Sequence, residues 1–287
     1  MNLTDWENHA KHRRYIAQTQ KAWWGLAGPD GEPLMDLPAP LPDFEIPETH
    51  NATSAARVKF NILGRRGQIH PAVGALIDEN IGTTDSEARL QPALRGVHFL
   101  VYEKHGVRLT YLIAAATLTG PYSAPNALEI QAADMLTLVD GIPLWSYPRS
   151  LRGQWAELDR DYAAGWKEKR QLQNVHFAAQ ADGFVLSGDA ESTIRRAIVE
   201  SLDATWKAIG RTDDPPVVVS TKTSGNPSPK VMIRPDDGFL WQTLAPIAAM
   251  AGTTINARMW WPGDPAVPGH NLTKPTIVID VDQPKEG

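Results

Sequence analysis

Residues 97–103 (VHFLVYE) and 107–116 (VRLTYLIAAA) carry the clearest strand pattern of the chain, and the predicted fold class follows from them. Both segments are rich in β-branched and aromatic residues, and Lys104-His105-Gly106 joins them through a glycine that tolerates positive φ, so they predict a β-hairpin. Apolar side chains occupy both faces of the first strand: Phe99 and Val101 one face, Leu100 and Tyr102 the other. Such a strand is typical of the wall of a small barrel or sandwich, where both faces are buried.

Other segments extend the β pattern on either side of this hairpin. Further strands are predicted at residues 58–63, 127–131, 216–220, 230–233, 255–261 and 276–281. In the last of these, Ile277, Ile279 and Val281 alternate with Asp280, which predicts one buried and one exposed face.

Helices are predicted at fewer places. Residues 4–24 show an imperfect apolar stripe that ends before Gly25, and helical turns are expected at 71–77, closed by 80–82, and at 132–138. A longer helix follows Asp189 and stops at Gly210, and another is expected to be capped by Asp236 and to stop at Gly252.

Residues 29–50 contain six prolines and follow neither a helical nor a strand period. Proline excludes a helix or a central strand here. The segment is nevertheless too apolar for a solvated linker, so we expect an extended arm that lies on a protein surface, either of its own chain or of a neighbouring subunit.

The predicted fold is therefore α+β and β-dominated, with two barrel-like or sandwich-like domains, a few packed helices and an extended N-terminal arm. The expected divisions are a helix and arm at 1–50, a first β-rich domain at 51–150 and a second α+β domain at 151–287.

Composition narrows the class of protein. The chain of 287 residues is 42% hydrophobic and carries a formal net charge of −5 without a long basic run, which argues against sequence-independent or sequence-specific nucleic-acid binding. It has no cysteine, which excludes disulfides, thiol nucleophiles and cysteine-ligated metals. Neither a signal peptide nor an apolar stretch of about 20 residues is present, so we expect no membrane contact.

Catalytic and cofactor motifs are also missing from the sequence. There is no phosphate-binding glycine loop and no G-x-S-x-G elbow. His9 and His12 lie three residues apart on a predicted helix, and they are more readily explained as surface histidines than as metal ligands. Asp213-Asp214 and Asp236-Asp237 are adjacent pairs, which suit caps and turns better than a glycosidase dyad. We expect no enzyme activity, no cofactor and no metal.

One local motif is unusual: Trp260-Trp261-Pro262-Gly263-Asp264-Pro265. Adjacent tryptophans at the end of a strand point to opposite faces, so at most one is expected in the core. The other is predicted to be covered by a loop, a second chain or a sugar, and a subunit interface is favoured because tryptophan is enriched there. Trp145, in the aromatic loop 142–148, allows the same two interpretations.

Several stretches together resemble the minor tail proteins of long-tailed phages that infect actinobacteria. They are residues 61–63 (NIL), 76–78 (LID), the hairpin at 100–116, 143–148 (PLWSYP), 233–241 (IRPDDGFLW), 260–265 and 272–276 (LTKPT). The likeness extends over most of residues 50–281 and consists of aromatic and proline turns.

This family is similar to the tail-associated baseplate hub proteins at the tip of the tail tube. The resemblance implies a structural virion protein, made in the host cytoplasm, that forms a homotrimeric ring at the tail tip. The ring would dock on the distal tail protein and close or continue the tube, with the tape-measure protein and other minor tail proteins as further partners. Longer family members carry C-terminal extensions, so we expect host-binding or lytic functions to reside outside this sequence.

Seven residues are candidates for the interfaces of such an assembly: Leu37, Phe44, Trp145, Tyr147, Trp260, Trp261 and Asp264. Two other functions stay open. One is a carbohydrate- or receptor-binding module of the tail tip that uses exposed tryptophans. The other is a divergent hydrolase with carboxylates brought together from distant parts of the chain.

Overall fold

The computed structural model describes residues 1–49, 51–64, 67–77, 84, 86–88, 96–121, 125–160, 162, 164–173, 175 and 185–285. They form two units. Unit 1 comprises Met1–Thr137, Arg258–Ala266 and Leu272–Thr276, and unit 2 comprises Leu138–Ala257, Val267–Asn271 and Ile277–Gly287. The N-terminal helix and the proline-rich arm belong to unit 1. The fold is α+β and β-dominated, as the sequence predicts.

The described part of unit 1 contains two helices and six strands. They are α1 (Leu3–Thr19), β1 (Trp23–Ala27), β2 (Pro33–Asp36), β3 (Ala55–Asn61), α2 (Ala72–Leu76), β4 (Phe99–Lys104), β5 (Val107–Thr119) and β6 (Ala127–Asp134). The six strands form one antiparallel sheet in the order β2-β1-β4-β5-β6-β3. Strand β3 and helix α2 confirm the segments predicted at 58–63 and 71–77, while the expected stop at 80–82 lies outside the described residues.

The hairpin that the sequence predicts is formed by β4 and β5. Their register runs from Phe99 opposite Leu112 to Lys104 opposite Val107. His105 and Gly106 both have positive φ, at 51° and 80°, as a two-residue hairpin turn requires. The predicted burial on both faces is confirmed for β4, because Leu100 and Val101 are both fully covered.

The proline-rich arm closes this sheet into a barrel-like wall. Strand β2 adds to β1 at one edge, and the residues after it reach the opposite edge, where Pro40 and Glu45 bridge to Phe60 and Arg57 of β3. The described part of the arm is therefore docked as predicted, and the surface it covers is that of its own chain. Leu37, one of the interface candidates, is buried at 7% exposure in the hydrophobic core of unit 1.

The helix predicted at 4–24 is shorter than expected. Helix α1 begins after a capping box between Asn2 and Asp5 and ends at Thr19. Trp23 and Trp24 belong to β1, where they pair with β4 and are buried on opposite faces. The predicted helix reaches residue 24, beyond the end of α1, because burial of these two indoles in a sheet outweighs local helix propensity.

Unit 2 is built from helices and small sheets. Its elements are α3 (Leu136–Asp140), a 3-10 helix (Pro148–Ser150), β7 (Trp155–Arg160), β8 (Gly165–Gln173), β9 (Leu186–Asp189), α4 (Ala190–Ala208), β10 (Val217–Val219), β11 (Lys230–Ile233), α5 (Leu240–Met250), β12 (Thr254–Trp260) and β13 (Thr276–Asp282); α3 begins, β12 ends and β13 begins in unit 1. Within the described ranges the sheets are β10-β13-β12, with β10 and β13 parallel, and the pairs β11-β9 and β7-β8.

Two predictions for unit 2 are wrong in detail. Asp236 does not cap α5, whose N-cap is Phe239; it binds the backbone N–H of Gly238 instead, in a turn. Strand β13 is buried on both faces rather than one, since Val278 is as fully covered as Ile279. A central strand of a covered sheet loses its alternation because both faces meet apolar neighbours.

The hairpin of β7 and β8 was not predicted. Its two strands pair from Trp155 opposite Gln173 to Arg160 opposite Gly165. Every residue of β7 is exposed, and so are all but two of β8.

Among the residues that the structure describes, no helix is long and apolar enough to cross a bilayer.

Candidate functional site: an arginine–tryptophan cluster in unit 1

A cluster of buried aromatic and charged side chains in unit 1 surrounds Trp261. Helix α1 supplies Trp6, His9 and Arg13, which share one helix face because they lie three and four residues apart. Strand β1 adds Trp23. The ring centroids of Trp6 and His9 each lie 5.6 Å from that of Trp261, and the centroid of Trp23 lies 6.3 Å away.

Two guanidinium groups contact the indole of Trp261. The Cζ atom of Arg108 lies 4.3 Å from the ring centroid and that of Arg13 lies 4.7 Å away. Trp261 itself is 1% exposed, and its Nε1–H donates to the carbonyl of Gly31 at 2.9 Å. These cation–π contacts are desolvated, the condition in which they are strongest.

Each arginine is neutralised by a carboxylate. Arg13 donates from Nε to Oε2 of Glu103 at 2.9 Å, and both side chains are less than 10% exposed. Arg108 binds both carboxylate oxygens of Asp264 and also donates to the carbonyl of Met259 at 2.9 Å. Burial lowers the pKa of the Arg13 guanidinium from its usual value, and the nearby charge of Arg108 acts in the same direction.

His9 is held in its neutral form by this surrounding. Burial, followed by the charge of Arg13, lowers the pKa of His9 from 6.5 to about 4. Its Nδ1 lies 3.0 Å from Nη1 of Arg13, and because a guanidinium nitrogen only donates, Nδ1 accepts. The hydrogen bond and the charge of Arg13 therefore both require an unprotonated Nδ1.

The motif at 260–265 lies inside this cluster. Its turn is fixed by Asp264, whose Oδ2 accepts from the backbone N–H of Trp261 at 2.8 Å while the same carboxylate binds Arg108. Both tryptophans are buried, Trp260 at 6% and Trp261 at 1% exposure, and of the predicted covers for the second ring the described structure has a loop of the same chain. The Nε1–H of Trp260 donates to the carbonyl of Pro265, so the turn folds back over this ring.

The other interface candidates lie apart from the cluster. Phe44 is 42% exposed and its ring meets that of Trp24 edge-on at 5.2 Å. In unit 2, Trp145 is half-buried and donates to Oγ1 of Thr205, and Tyr147 is also half-buried. Their loop is attached through Ser146, which binds the Asp237 carboxylate with both its N–H and its hydroxyl at 2.7 Å.

A cleft of about 870 Å³ opens beside the cluster. Its lining contains five cationic side chains against two carboxylates: Arg13, Arg14, Lys21, Lys104 and Arg108 against Glu103 and Asp264. Both carboxylates are the ones already bound by Arg13 and Arg108. In the described ranges no three His, Asp or Glu side chains converge as metal ligands would; His9 and His12 contact Arg13 and Asp36 respectively.

Part of this site is predictable from the sequence. The spacing of Trp6, His9 and Arg13 marks one helix face, and Trp261 and Asp264 were singled out. Arg108 was missed because nothing local relates it to Asp264, which lies 156 residues further along the chain.

Comparisons with known proteins add little to this description. No family model and no curated protein matches the chain. The chain is similar to a chain in the solved structure of the Francisella PdpA–VgrG complex in its half-lidded form, with 8% sequence identity and a TM-score of 0.35. The likeness covers 97% of this chain and 36% of that one, so this chain spans about a third of its length.

Proposed function

We propose that the protein is a structural component of a phage tail tip: a homotrimeric hub ring that docks on the distal tail protein and closes or continues the tail tube. Its role is assembly and not catalysis, and its partners are further copies of itself, the distal tail protein, the tape-measure protein and other minor tail proteins. The observation that carries the proposal is the exposed hairpin of β7 and β8.

This hairpin presents a mostly apolar face that the described part of the chain does not cover. Cross-strand pairing places Ala156 and Leu158 opposite Leu172 and Arg170, and strand alternation puts Glu168 and Trp166 on the same face. The Arg170 guanidinium lies 4.5 Å from the Trp166 ring centroid. Leu158 and Leu172 are 42% and 45% exposed. A two-stranded sheet is marginally stable alone in water, so a partner on this face would stabilise it.

We propose an adjacent copy of the chain as that partner. The two strands carry four basic and three acidic side chains: Arg160, Lys167, Lys169 and Arg170 against Glu157, Asp159 and Glu168. Because the charges nearly balance, identical hairpins do not repel each other when they meet. Unit 1, whose sheet is continued at both edges by the chain's own arm, supplies a rigid wall for such a ring.

The carbohydrate-binding alternative is less well supported. It depends on exposed indole faces, and the chain itself covers both Trp260 and Trp261. Trp155 of β7, at 47%, is the one exposed tryptophan among the described residues, so there is no platform of several indoles there. Trp145 is half-buried, with its Nε1–H donated to Thr205.

The test is the mass of the purified chain in solution, measured by native mass spectrometry. We expect a trimer for the natural sequence and a shift toward monomer for Leu172→Asp, which places a charge in the apolar face. Gln171→Asp is the matched control, because it adds the same charge on the opposite face of the same strand and should remain trimeric. A monomeric natural chain, or equal behaviour of the two variants, would contradict the proposal.

A further inference from the structure

The cleft beside the arginine–tryptophan cluster contains cations that no described part of the chain neutralises. Glu103 and Asp264 are bound by Arg13 and Arg108. Arg14, Lys21 and Lys104 are exposed, and no ion pair joins them to any part of the chain that the structure describes. The cleft is thus a positive region on a chain whose net charge is −5.

Buried ion pairs hold the elements that form the walls of this cleft. Arg13 and Glu103 are 5% and 6% exposed and join α1 to β4, while Arg108 and Asp264 join β5 to the turn after Trp261. His105 and Gly106 form the tight turn at the rim, next to Lys104. Arg14, Lys21 and Lys104 therefore lie on or next to elements that are already held in place, so binding an anion costs little reorganisation of the backbone.

We infer that this cleft binds an acidic peptide segment of a partner protein. Carboxylates of the segment pair with Arg14, Lys21 and Lys104, and the amide of Gln18 meets the peptide backbone. Ala17 and Pro265 supply apolar wall for the side chains between the charges. The binding is distinct from the assembly proposed above, which uses the hairpin of unit 2.

A peptide fits this surface better than a nucleic acid does. The lining cations belong to one end of α1 and to the strands and turn beside it, and the sequence has no long basic run to follow a phosphate backbone. The overall negative charge of the chain repels a long polyanion beyond the cleft, whereas a short acidic segment ends within it.

The test is fluorescence anisotropy of a labelled hexaglutamate peptide with the full-length chain at low ionic strength. We expect saturable binding that weakens as salt is added. Arg14→Glu and Lys104→Glu should each weaken it by about fivefold or more, since each removes one exposed ion pair and adds a repulsion. Both side chains are exposed, so circular dichroism should report an unchanged fold.

Arg211→Glu, an equal charge change at an exposed position of unit 2, is the matched control and should leave binding unchanged. A hexaglutamine peptide should not bind. Absence of hexaglutamate binding, or equal weakening by Arg211→Glu, overturns the inference. Tighter binding of a single-stranded oligonucleotide that is lost in the same two cleft variants would assign the cleft to nucleic acid instead and overturn it as well.

Discussion

Trp261 is fixed by contacts that come from four separate parts of the chain. Gly31 accepts its indole N–H, Asp264 accepts its backbone N–H, and the guanidinium groups of Arg13 and Arg108 lie against its ring. The two charges can remain next to a buried ring because each has a carboxylate partner. The stability of unit 1 at this point therefore depends on pairing, which makes it sensitive to loss of one partner and tolerant to loss of both.

Replacement of Arg13 by methionine tests this dependence. Arg13→Met leaves Glu103 buried at 6% exposure without its cation, and we expect a loss of about 3 kcal/mol in the free energy of unfolding. The measurement is urea denaturation followed by tryptophan fluorescence. The double variant Arg13→Met/Glu103→Leu should recover most of the loss, because no unpaired charge remains. A double variant no more stable than Arg13→Met would show that the pair is not the cause.

His9 gives unit 1 a dependence on acid. The unfolded chain binds a proton at His9 below its ordinary pKa of 6.5, whereas the folded chain does so only near its lowered pKa of about 4. Protons therefore favour unfolding in this window, and the contribution of neutral His9, fully present above pH 6.5, is lost as the pH falls toward 4.

The variant His9→Asn isolates this effect. Asparagine retains an acceptor for Arg13 but does not titrate, so we expect its stability to decline less than that of the natural chain between pH 6.5 and 4. Urea midpoints across this range provide the measurement, and the carboxylates common to both chains cancel in the difference. Parallel pH profiles of the two chains would argue against the assignment to His9.

At the scale of elements, β1 shows why a glycine is placed within a strand. The indole of Trp23 folds back over Gly25, and a Cβ atom on Gly25 would lie 2.2 Å from Cη2 of that ring. The Trp23 ring has little room to move, because it is 1% exposed and packs against His9 and Trp261.

Gly25→Ala should consequently destabilise the protein by about 1–3 kcal/mol, the usual cost of overpacking a core. Gly74→Ala is the matched control: it lies in α2, has no neighbour within 4 Å of the added Cβ, and should leave stability unchanged or raise it by up to about 1 kcal/mol. Thermal denaturation of the two variants beside the natural chain gives the comparison. Equal melting temperatures for all three would refute the packing argument.

The elements that could be predicted are those whose pattern is local. The hairpin of β4 and β5 has strand propensity and a Gly106 turn within about twenty residues, and α4 has its apolar stripe between Asp189 and Gly210. The sequence of β1 predicts a helix, because its burial in a sheet depends on β4, far along the chain. The sequences of β7 and β8 are polar and predict no strand, because only pairing with each other makes them strands.

Contacts between residues far apart in the sequence also limit how much of the function the sequence predicts. The motif around Trp261 was noticed because adjacent tryptophans are rare, but its arginines come from α1 and β5 and are joined to it only by the fold. Whether a face such as that of the β7–β8 hairpin is exposed depends on which other elements of the chain pack against it. A local pattern does not contain that information.

The hairpin also allows assembly to be separated from folding. Trp155 is directly opposite Gln173, so a short Gly-Ser-Gly bridge between these two residues can replace residues 156–172. Because nearly all of the described side chains in this segment are exposed, the deletion takes little apolar surface out of any core, and we expect the free energy of unfolding to change by less than about 1 kcal/mol.

The same deletion removes the proposed contact with the adjacent copy. Urea denaturation should therefore report a folded chain of nearly natural stability once both proteins are compared as monomers at high dilution, while native mass spectrometry at higher concentration reports a monomer for the deletion and a trimer for the natural chain. A deleted chain that still forms trimers would place the subunit interface elsewhere in the molecule. A deleted chain that fails to fold would show that the hairpin contributes to the core of unit 2, against its exposure.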